Sequence, residues 1–474
     1  MTTNTLPIAV IGAGPVGLAA AAHLVERGLP FIVLERKGPG AALRQWGQIE
    51  LFSPWRHNID AAARSLLTAT GWRAPDPEGL PTGDAMVQDY LAPLAAHPAI
   101  APNLVTGASV TAISRAGHDK MTSRARDTAA FTIAWTDSAG DEHRTLARAV
   151  IDATGTFSQP NPMGADGLPV PGERGLADAV THGLPDVAGE ARDHYAGKTT
   201  LVVGSGHSAL NTILSLLKLK QDDPSTRVIW AMRANRLQRL LGGGLNDQLP
   251  ARGALGLAAQ KALEAGAMEA GAMEVLTGFA ATRLSRAGAR IAVAGTLDGD
   301  ETAFEVDRIV VATGFRPDLQ MLQELRVAID PATEAPPALS PLIDPNVHSC
   351  GTVPPHGMVE LTHPEPGFYI AGSKSYGRAP TFLMATGYEQ VRSIAAELAG
   401  DHAAARDVQL VLPETGVCGV PGSVDIGGSA GCCGGPAQSA DACCVADETA
   451  KAAGEAGCGC GSKTAQPGRT SELA

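Results

Sequence analysis

Six residues near the start, Gly12-Ala13-Gly14-Pro15-Val16-Gly17, stand between the apolar run Leu6–Ile11 and the helix-like run Leu18–Arg27. A strand, a glycine-rich turn and a helix in that order make a cradle for a diphosphate. Gly12 permits the tight turn, Gly14 lets the backbone approach the pyrophosphate, and Gly17 lets helix and strand pack closely. The next strand-like run, Phe31–Leu34, ends on Glu35, 23 positions after Gly12, where a carboxylate can accept a ribose hydroxyl. The pattern recurs as Thr199–Val203 followed by Gly204-Ser205-Gly206-His207-Ser208-Ala209, with the small Ala209 in the third position, and a helical run over Leu210–Leu219. The strand after it, Arg227–Met232, ends on Arg233, with Arg236 and Arg239 close behind. An arginine there can pair with a 2′-phosphate, which favours NADPH over NADH, although three arginines can also form a solvated face. Two further strands, Ala149–Asp152 and Ile309–Val311, run into Ala153-Thr154-Gly155 and Ala312-Thr313-Gly314, where Gly155 and Gly314 let the backbone turn beside a cofactor.

The elements that must position these residues are short strands alternating with helices. The expected fold class is α/β, with two Rossmann-like dinucleotide-binding domains. Charged residues make up 18%, and Lys plus Arg 37 against Asp plus Glu 49 leaves −12, which argues against nucleic acid or an anionic membrane as a partner. The most apolar early stretch, Leu6–Val25, follows no Lys or Arg and is broken by Gly12, Gly14, Pro15 and Gly17, so neither a signal peptide nor a spanning helix is expected. A soluble, cytoplasmic chain is the expectation, and the cysteines agree: Cys350 alone precedes Cys418.

This arrangement resembles the flavoproteins with two dinucleotide-binding domains, most closely the NADPH-dependent flavin monooxygenase-like branch, over roughly residues 6 to 400. The resemblance implies an NADPH domain inserted into an FAD domain: residues 1–165 and 341–405 for FAD, 166–340 for NADPH, and 406–474 as a flexible Cys-rich tail. It implies FAD at Gly12, Gly14, Gly17 and Glu35, with Trp46 following the second FAD strand, and NADPH at Gly204, Gly206 and Arg233. Thr154, Gly155, Gly314 and Gly372 complete the expected cofactor contacts, and the FAD domain resumes near Phe368–Gly372, ahead of a helix from about Phe382 to Leu398. Hydride would pass from NADPH to the flavin, and one oxygen atom from O2 to a soft nucleophile.

Three departures qualify the likeness. Where the branch has Phe and Gly before a His, this chain has Leu176, Asp178 and His182; Ser373 replaces an Asp that holds the ribityl chain; and no Cys-x-x-Cys lies near either fingerprint, which disfavours dithiol chemistry. His348, His356 and His363 flank Cys350 at no zinc-like spacing and read as loop histidines beside the flavin or on the surface. The stretch Ala265–Glu274 reads as a short duplication in a surface helix. No general acid or nucleophile is legible, and the substrate pocket is expected from loops such as Trp46–Asp60 and Leu240–Leu257.

From Pro413 the chain turns to Gly, Ala, Ser and Cys, a composition that cannot bury a core. Cys432-Cys433, Cys443-Cys444 and Cys458-Gly459-Cys460 are close sets of soft donors suited to copper(I), zinc, mercury or trivalent arsenic, unless the tail is an inert linker. The tail is similar to cysteine-rich segments of bacterial arsenite methyltransferases. Together these features suggest a flavoenzyme of arsenic resistance acting on a small-molecule or metalloid substrate. A flavin-dependent reductase of a thiol-bound metal or metalloid, or a non-catalytic metal-binding redox protein, stands as the alternative.

Overall fold

A computed structural model describes residues 5–233, 249–268, 273–346, 353–380 and 382–410. Strand β1 (Ile8–Ile11) leads through helix α1 (Pro15–Glu26) to β2 (Phe31–Glu35), α2 (Ala61–Ala69) and β3 (Leu104–Thr106). An antiparallel group follows, β4 (Ser109–Arg115), β5 (Phe131–Thr136) and β6 (Glu142–Ala147), and then β7 (Ala149–Asp152). The chain next builds β8 (Val180–His182), β9 (Thr199–Val203), α3 (His207–Asp222), β10 (Arg227–Met232), α4 (Pro250–Met268) and β11 (Met273–Thr277). A second antiparallel group, β12 (Phe279–Ala287), β13 (Arg290–Leu297) and β14 (Asp300–Val306), precedes β15 (Arg308–Val311). β16 (Phe368–Ile370) and α5 (Met384–Leu398) return to the first domain.

The two domains repeat one plan. Parallel sheets of order β16-β7-β1-β2-β3 and β8-β15-β9-β10-β11 each have helices on one face and an antiparallel three-stranded sheet on the other. Strands covered on both faces must be apolar throughout, which is why β1 reads as an unbroken run. Ile8 and Val10 enter the helical core, while Ala9 and Ile11 enter the core shared with Ile113, Phe131 and Ile133 of the antiparallel group. On the helical side Ala19, Ala20, Ala21 and Ala22 are fully buried and let α1 pack against α5 and α2. Leu18 and Leu24 beside them each contribute about 1.5–3 kcal/mol by leaving water. In the second domain Val202, Trp230 and Val310 face α3, and Leu201, Ile229 and Ile309 face β12–β14.

Two expectations are corrected. The inserted domain, expected to run to residue 340, ends earlier: Leu322 and Leu325 already pack with Ile11, Phe131 and Phe368, and Ala335, Leu339 and Ile343 join the core around α1. The chain crosses back at 313–316, where Pro160 bridges Phe315 and the Arg316 N–H donates to Gln159 O. Apolar residues on that returning segment are needed to cover the first sheet, and buried polar contacts hold it there. Glu365 accepts from Arg115 Nε (2.7 Å), Arg126 Nη1 (2.6 Å) and the Arg326 N–H (2.8 Å). Burial opposes its charge, but these donors hold its carboxyl below the usual range. The second correction concerns the Ala265–Glu274 repeat. The helix ends at Met268, and Met273 and Glu274 open β11, which pairs in parallel with β10. Among the described residues no helix is long and apolar enough to cross a membrane.

A buried polar node joins α1 to α2. Asp60 caps α2 through the Ala63 N–H, and its other oxygen lies 2.9 Å from His23 Nε2; Nδ1 of the same ring lies 3.3 Å from Glu26. Burial disfavours the imidazolium, yet the Asp60 and Glu26 contacts outweigh it and push the pKa of His23 from 6.5 up to about 9. Because the folded pKa is raised, the stabilisation is full below about pH 6.5 and is lost as pH rises through about 9. Urea titrations across this window should show unfolding free energy falling by about 3 kcal/mol more in the wild type than in His23→Gln. Parallel curves for the two proteins would remove His23 as the source.

Candidate active site

The three glycines of the first fingerprint meet three different surroundings. Gly12 has φ +98°, donates its N–H to Leu34 O at 2.8 Å, and a Cβ there would lie 2.8 Å from Ala153 O. A Cβ on Gly17 would lie 2.0 Å from Gly12 O. Gly14 faces nothing within 4 Å, so it borders open space. The first helical bond of α1 runs from the Leu18 N–H to Gly14 O, and Pro15 has no N–H; the amides before Leu18 therefore point at that space with no acid in the first turn to oppose an anion. Glu35 receives the N–H groups of Ala13 and Lys37, both at 2.8 Å, which aims its carboxylate along the same crevice. This open backbone cradle and the directed acid fit the ADP part of FAD.

Beyond the diphosphate position, Gly155 (φ +67°) lies with its Cβ site 3.4 Å from Ser373 Oγ, and Gly372 (φ +72°) lies over Val16. Trp46 is half-buried against the first core, and the backbone oxygens of Leu43 and Trp46, 2.9 and 3.0 Å from where a Cβ would stand, limit Gly83 to a glycine. The second crevice is built the same way. Gly204 (φ +134°) donates to Ala231 O, a Cβ on it would lie 2.3 Å from Ala312 O, Gly206 faces open space, and Ala209 is fully buried. Arg233 directly follows β10, exposed, with Nη1 2.7 Å from Ala165 O. Gly314 (φ +89°) accepts from the Asn161 N–H, and Phe157 stacks on Phe315 at 4.6 Å where the two crossing segments meet. Arg236, Arg239 and the cysteines Cys432, Cys433, Cys443, Cys444, Cys458 and Cys460 lie outside the described residues, as do Cys350 and His348.

Between the domains is a cleft of about 490 Å³, with Gln48, Glu50 and Phe52 on one wall and Asn211, Lys218 and Leu255 on the other. The described parts of both loops expected to form a pocket line it, although residues 250–258 do so as the first turns of α4. Gln48 Nε2 donates to Leu184 O at 3.4 Å, and Phe52 meets the edge of His207, the first residue of α3, at 4.9 Å. The loop after Trp46 thus touches the mouth of the second crevice.

Several groups lie under the first crevice, of which the sequence marked only His356 and His363, as loop histidines beside the flavin or on the surface. Gln390 on α5 accepts the Gly372 N–H (2.7 Å) and donates to Ser375 Oγ (3.0 Å), with His356 Nε2 2.9 Å from its amide nitrogen. Burial lowers the pKa of His356, and burial brings that of His363 down to about 4, so both rings are neutral at pH 7. Lys374 and Asp152 form an ion pair of 2.7 Å with exposures of 1% and 0%. No motif spacing marks any of these residues. Leu176, Asp178 and His182 have structural surroundings: Leu176 is in the second core, Asp178 pairs with Arg286, and His182 lies 3.2 Å from Glu173.

Residues 9–342 match the family model described as Pyridine nucleotide-disulphide oxidoreductase. The chain belongs to this family. It is a flavin-dependent oxidoreductase whose cofactors are FAD and NADPH. Indole-3-pyruvate monooxygenase YUCCA1 of Oryza sativa subsp. japonica is 31% identical over 215 residues, 44% of this chain and 44% of that protein. The chain thus spans less than half the length of the curated relatives it matches. Among solved structures, Bacillithiol Disulfide Reductase Bdr (YpdA) from Bacillus cereus superposes with a TM-score of 0.61 at 18% identity, over 83% of this chain and 99% of that one. The FAD-bound cadaverine monooxygenase DfoA from Erwinia amylovora gives 0.57 at 14%, over 86% and 98%. These likenesses show the shared fold.

The glycine surroundings lead to separable outcomes. Gly14→Ala should fold with an unchanged melting temperature but bind FAD at least tenfold more weakly, since its methyl enters the crevice alone. Gly17→Ala should lose about 3 kcal/mol or more of stability, because its methyl must displace backbone. Melting curves with and without added FAD distinguish the two, and equal effects on stability would refute the assignment.

Proposed function

We propose that this enzyme is an NADPH-dependent monooxygenase that oxidises a soft nucleophile, with a trivalent arsenical as the leading substrate. FAD is held by Gly12, Gly14, Gly17, Glu35, Trp46, Thr154, Gly155 and Gly372, and NADPH by Gly204, Gly206, Arg233 and Gly314. The observation that carries the reading is the repetition of one glycine-lined crevice in both domains, each with a close backbone carbonyl behind its first glycine and open space before its second. When bound, the flavin supplies the two-electron chemistry. The overall balance is NADPH, a proton, O2 and substrate giving NADP⁺, water and the oxygenated product. This chain's part is to hold both dinucleotides, bring the cleft walls together and exclude water.

The likeness to a plant monooxygenase over 215 residues supports oxygenation. The absence of Cys-x-x-Cys from the sequence weighs against a dithiol relay. Support for the arsenical comes from the sequence of the tail. Cys432, Cys433, Cys443, Cys444, Cys458 and Cys460 are soft donors in close sets, placed to capture or deliver a metalloid in a cytoplasm that keeps thiols reduced. A second reading, reduction of a thiol-bound metal or metalloid, is favoured by the fold shared with a disulfide reductase.

NADPH oxidation by the purified yellow protein is the test, in air and anaerobically, with and without arsenite. Stimulation in air, with anaerobic consumption stopping after one equivalent per flavin, supports oxygenation of the arsenical. Continued anaerobic turnover would replace it with the reductase reading, and indifference to arsenite would remove the arsenical. Arg233→Ala should raise KM for NADPH about tenfold while leaving KM for NADH unchanged, because only NADPH carries the 2′-phosphate that the guanidinium would pair with. An equal rise for both nucleotides would mean that Arg233 has another role.

A further inference from the structure

Asp152 is the last residue of β7, and the chain then turns through Ala153-Thr154-Gly155 across the first crevice. Its Oδ1 accepts from the Thr154 N–H at 3.2 Å and from Thr154 Oγ1 at 2.7 Å. Lys374 arrives from the turn Gly372–Tyr376 after β16, with its ammonium 2.7 Å from Asp152 Oδ2 and 3.1 Å from Thr154 Oγ1. The ammonium approaches Oδ2 outside hydrogen-bonding angles, so the contact is one of charge. Asp152 and Lys374 stay buried even beside an open crevice, so they lie behind its wall and act through the exposed Thr154 and the backbone in front of them.

That backbone is the part of the crevice beyond the diphosphate. Thr154 Cα would lie 3.2 Å from a Cβ on Gly12, and the Cβ site of Gly155 lies 3.4 Å from Ser373 Oγ. The Ala371 N–H donates to Asp152 O at 2.9 Å. The pair therefore clamps two chain segments that come from opposite ends of the sequence, with the NADPH domain inserted between them. The half-buried ring of His363, which feels Asp152, is neutral at pH 7 and so adds no charge there. Desolvating both charges is costly, and two apolar residues would hold the same segments at lower cost. A retained buried charge beside a redox centre has an electrostatic consequence as well as a mechanical one.

We propose that Lys374 is a positioning residue for the flavin, its ammonium balancing Asp152 behind the Thr154-Gly155 and Gly372-Ser373 walls so that the crevice is both shaped and neutral when electrons enter. The proposal rests on FAD in the first crevice and is independent of the substrate. A field from either unpaired charge has a sign. Lys374→Met leaves a buried anion, which opposes electron uptake and lowers the flavin midpoint potential. Asp152→Asn leaves a buried cation, which raises it. The double variant Asp152→Asn/Lys374→Met is neutral again and should return the potential close to the wild-type value while still binding FAD at least tenfold more weakly, since the clamp is gone.

The experiment measures midpoint potential by dye-coupled reductive titration of the flavin-loaded protein, FAD affinity by fluorescence quenching, and melting of the apoprotein. Opposite shifts in the single variants, cancelled in the double, support the proposal. Shifts of one sign in all variants, or no shift with a lowered melting temperature, would reduce the pair to a scaffold contact and overturn it. Should Lys374→Met fail to fold, Asp152→Asn and the double variant decide by themselves. A raised potential restored in the double supports the proposal, and any other pattern overturns it.

Discussion

A backbone carbonyl pressed against a glycine is the contact on which both glycine-lined crevices depend. Ala153 O occupies the space where Gly12 would carry a side chain, and Ala312 O occupies the same space at Gly204, closer still. In each case the glycine closes a turn between two neighbouring strands, with its N–H on Leu34 O or Ala231 O. A methyl at either position has backbone in its way and nowhere to move, so the turn, the strand end and the helix start are interlocked. The helix amides can then face an anion without any side chain being spent on it.

Repetition of this contact explains the domain plan. The two sheets match strand for strand, but the first takes its outer strand β16 from the end of the described chain, whereas the second takes β8 from just before its own fingerprint. The inserted domain therefore hangs on two crossing segments, and the Phe157–Phe315 stack with the Asn161 hydrogen bonds to Thr313 and Gly314 joins them. That junction sets how the loop at Gln48–Phe52 meets α3, and so sets the cleft.

Charges in the interior are each held by a partner of opposite sign. Arg115 and Arg126 share Glu365 under the returning segment, His23 shares its proton with Asp60 between α1 and α2, and Lys374 faces Asp152 behind the first crevice. Each joins pieces of chain that are far apart in sequence. Removing one partner from such a group leaves a bare charge away from water, so these contacts specify one arrangement of segments even where they add little net stability.

Much of the fold, including its two glycine-lined crevices, was legible in the sequence, because local chemistry encodes it. A diphosphate cradle needs three small residues at set spacing between a strand and a helix, and Gly12, Gly14, Gly17, Gly204, Gly206 and Ala209 announce it without reference to the rest of the chain. The limit of the inserted domain was not legible, since the apolar residues at 322–343 look alike whether they cover one sheet or the other. Nor was the edge strand at Met273, whose alanine-rich approach reads as more helix. Gln390, His356, Asp152 and Lys374 carry no spacing signal, because each meets its partner across a distance that only tertiary packing closes. The sequence by itself determined the cofactor class and the two-domain α/β plan, since those follow from contacts within a few dozen residues. Tertiary structure alone decided which buried charges face one another, since a side chain's environment depends on segments that meet only once the chain is folded.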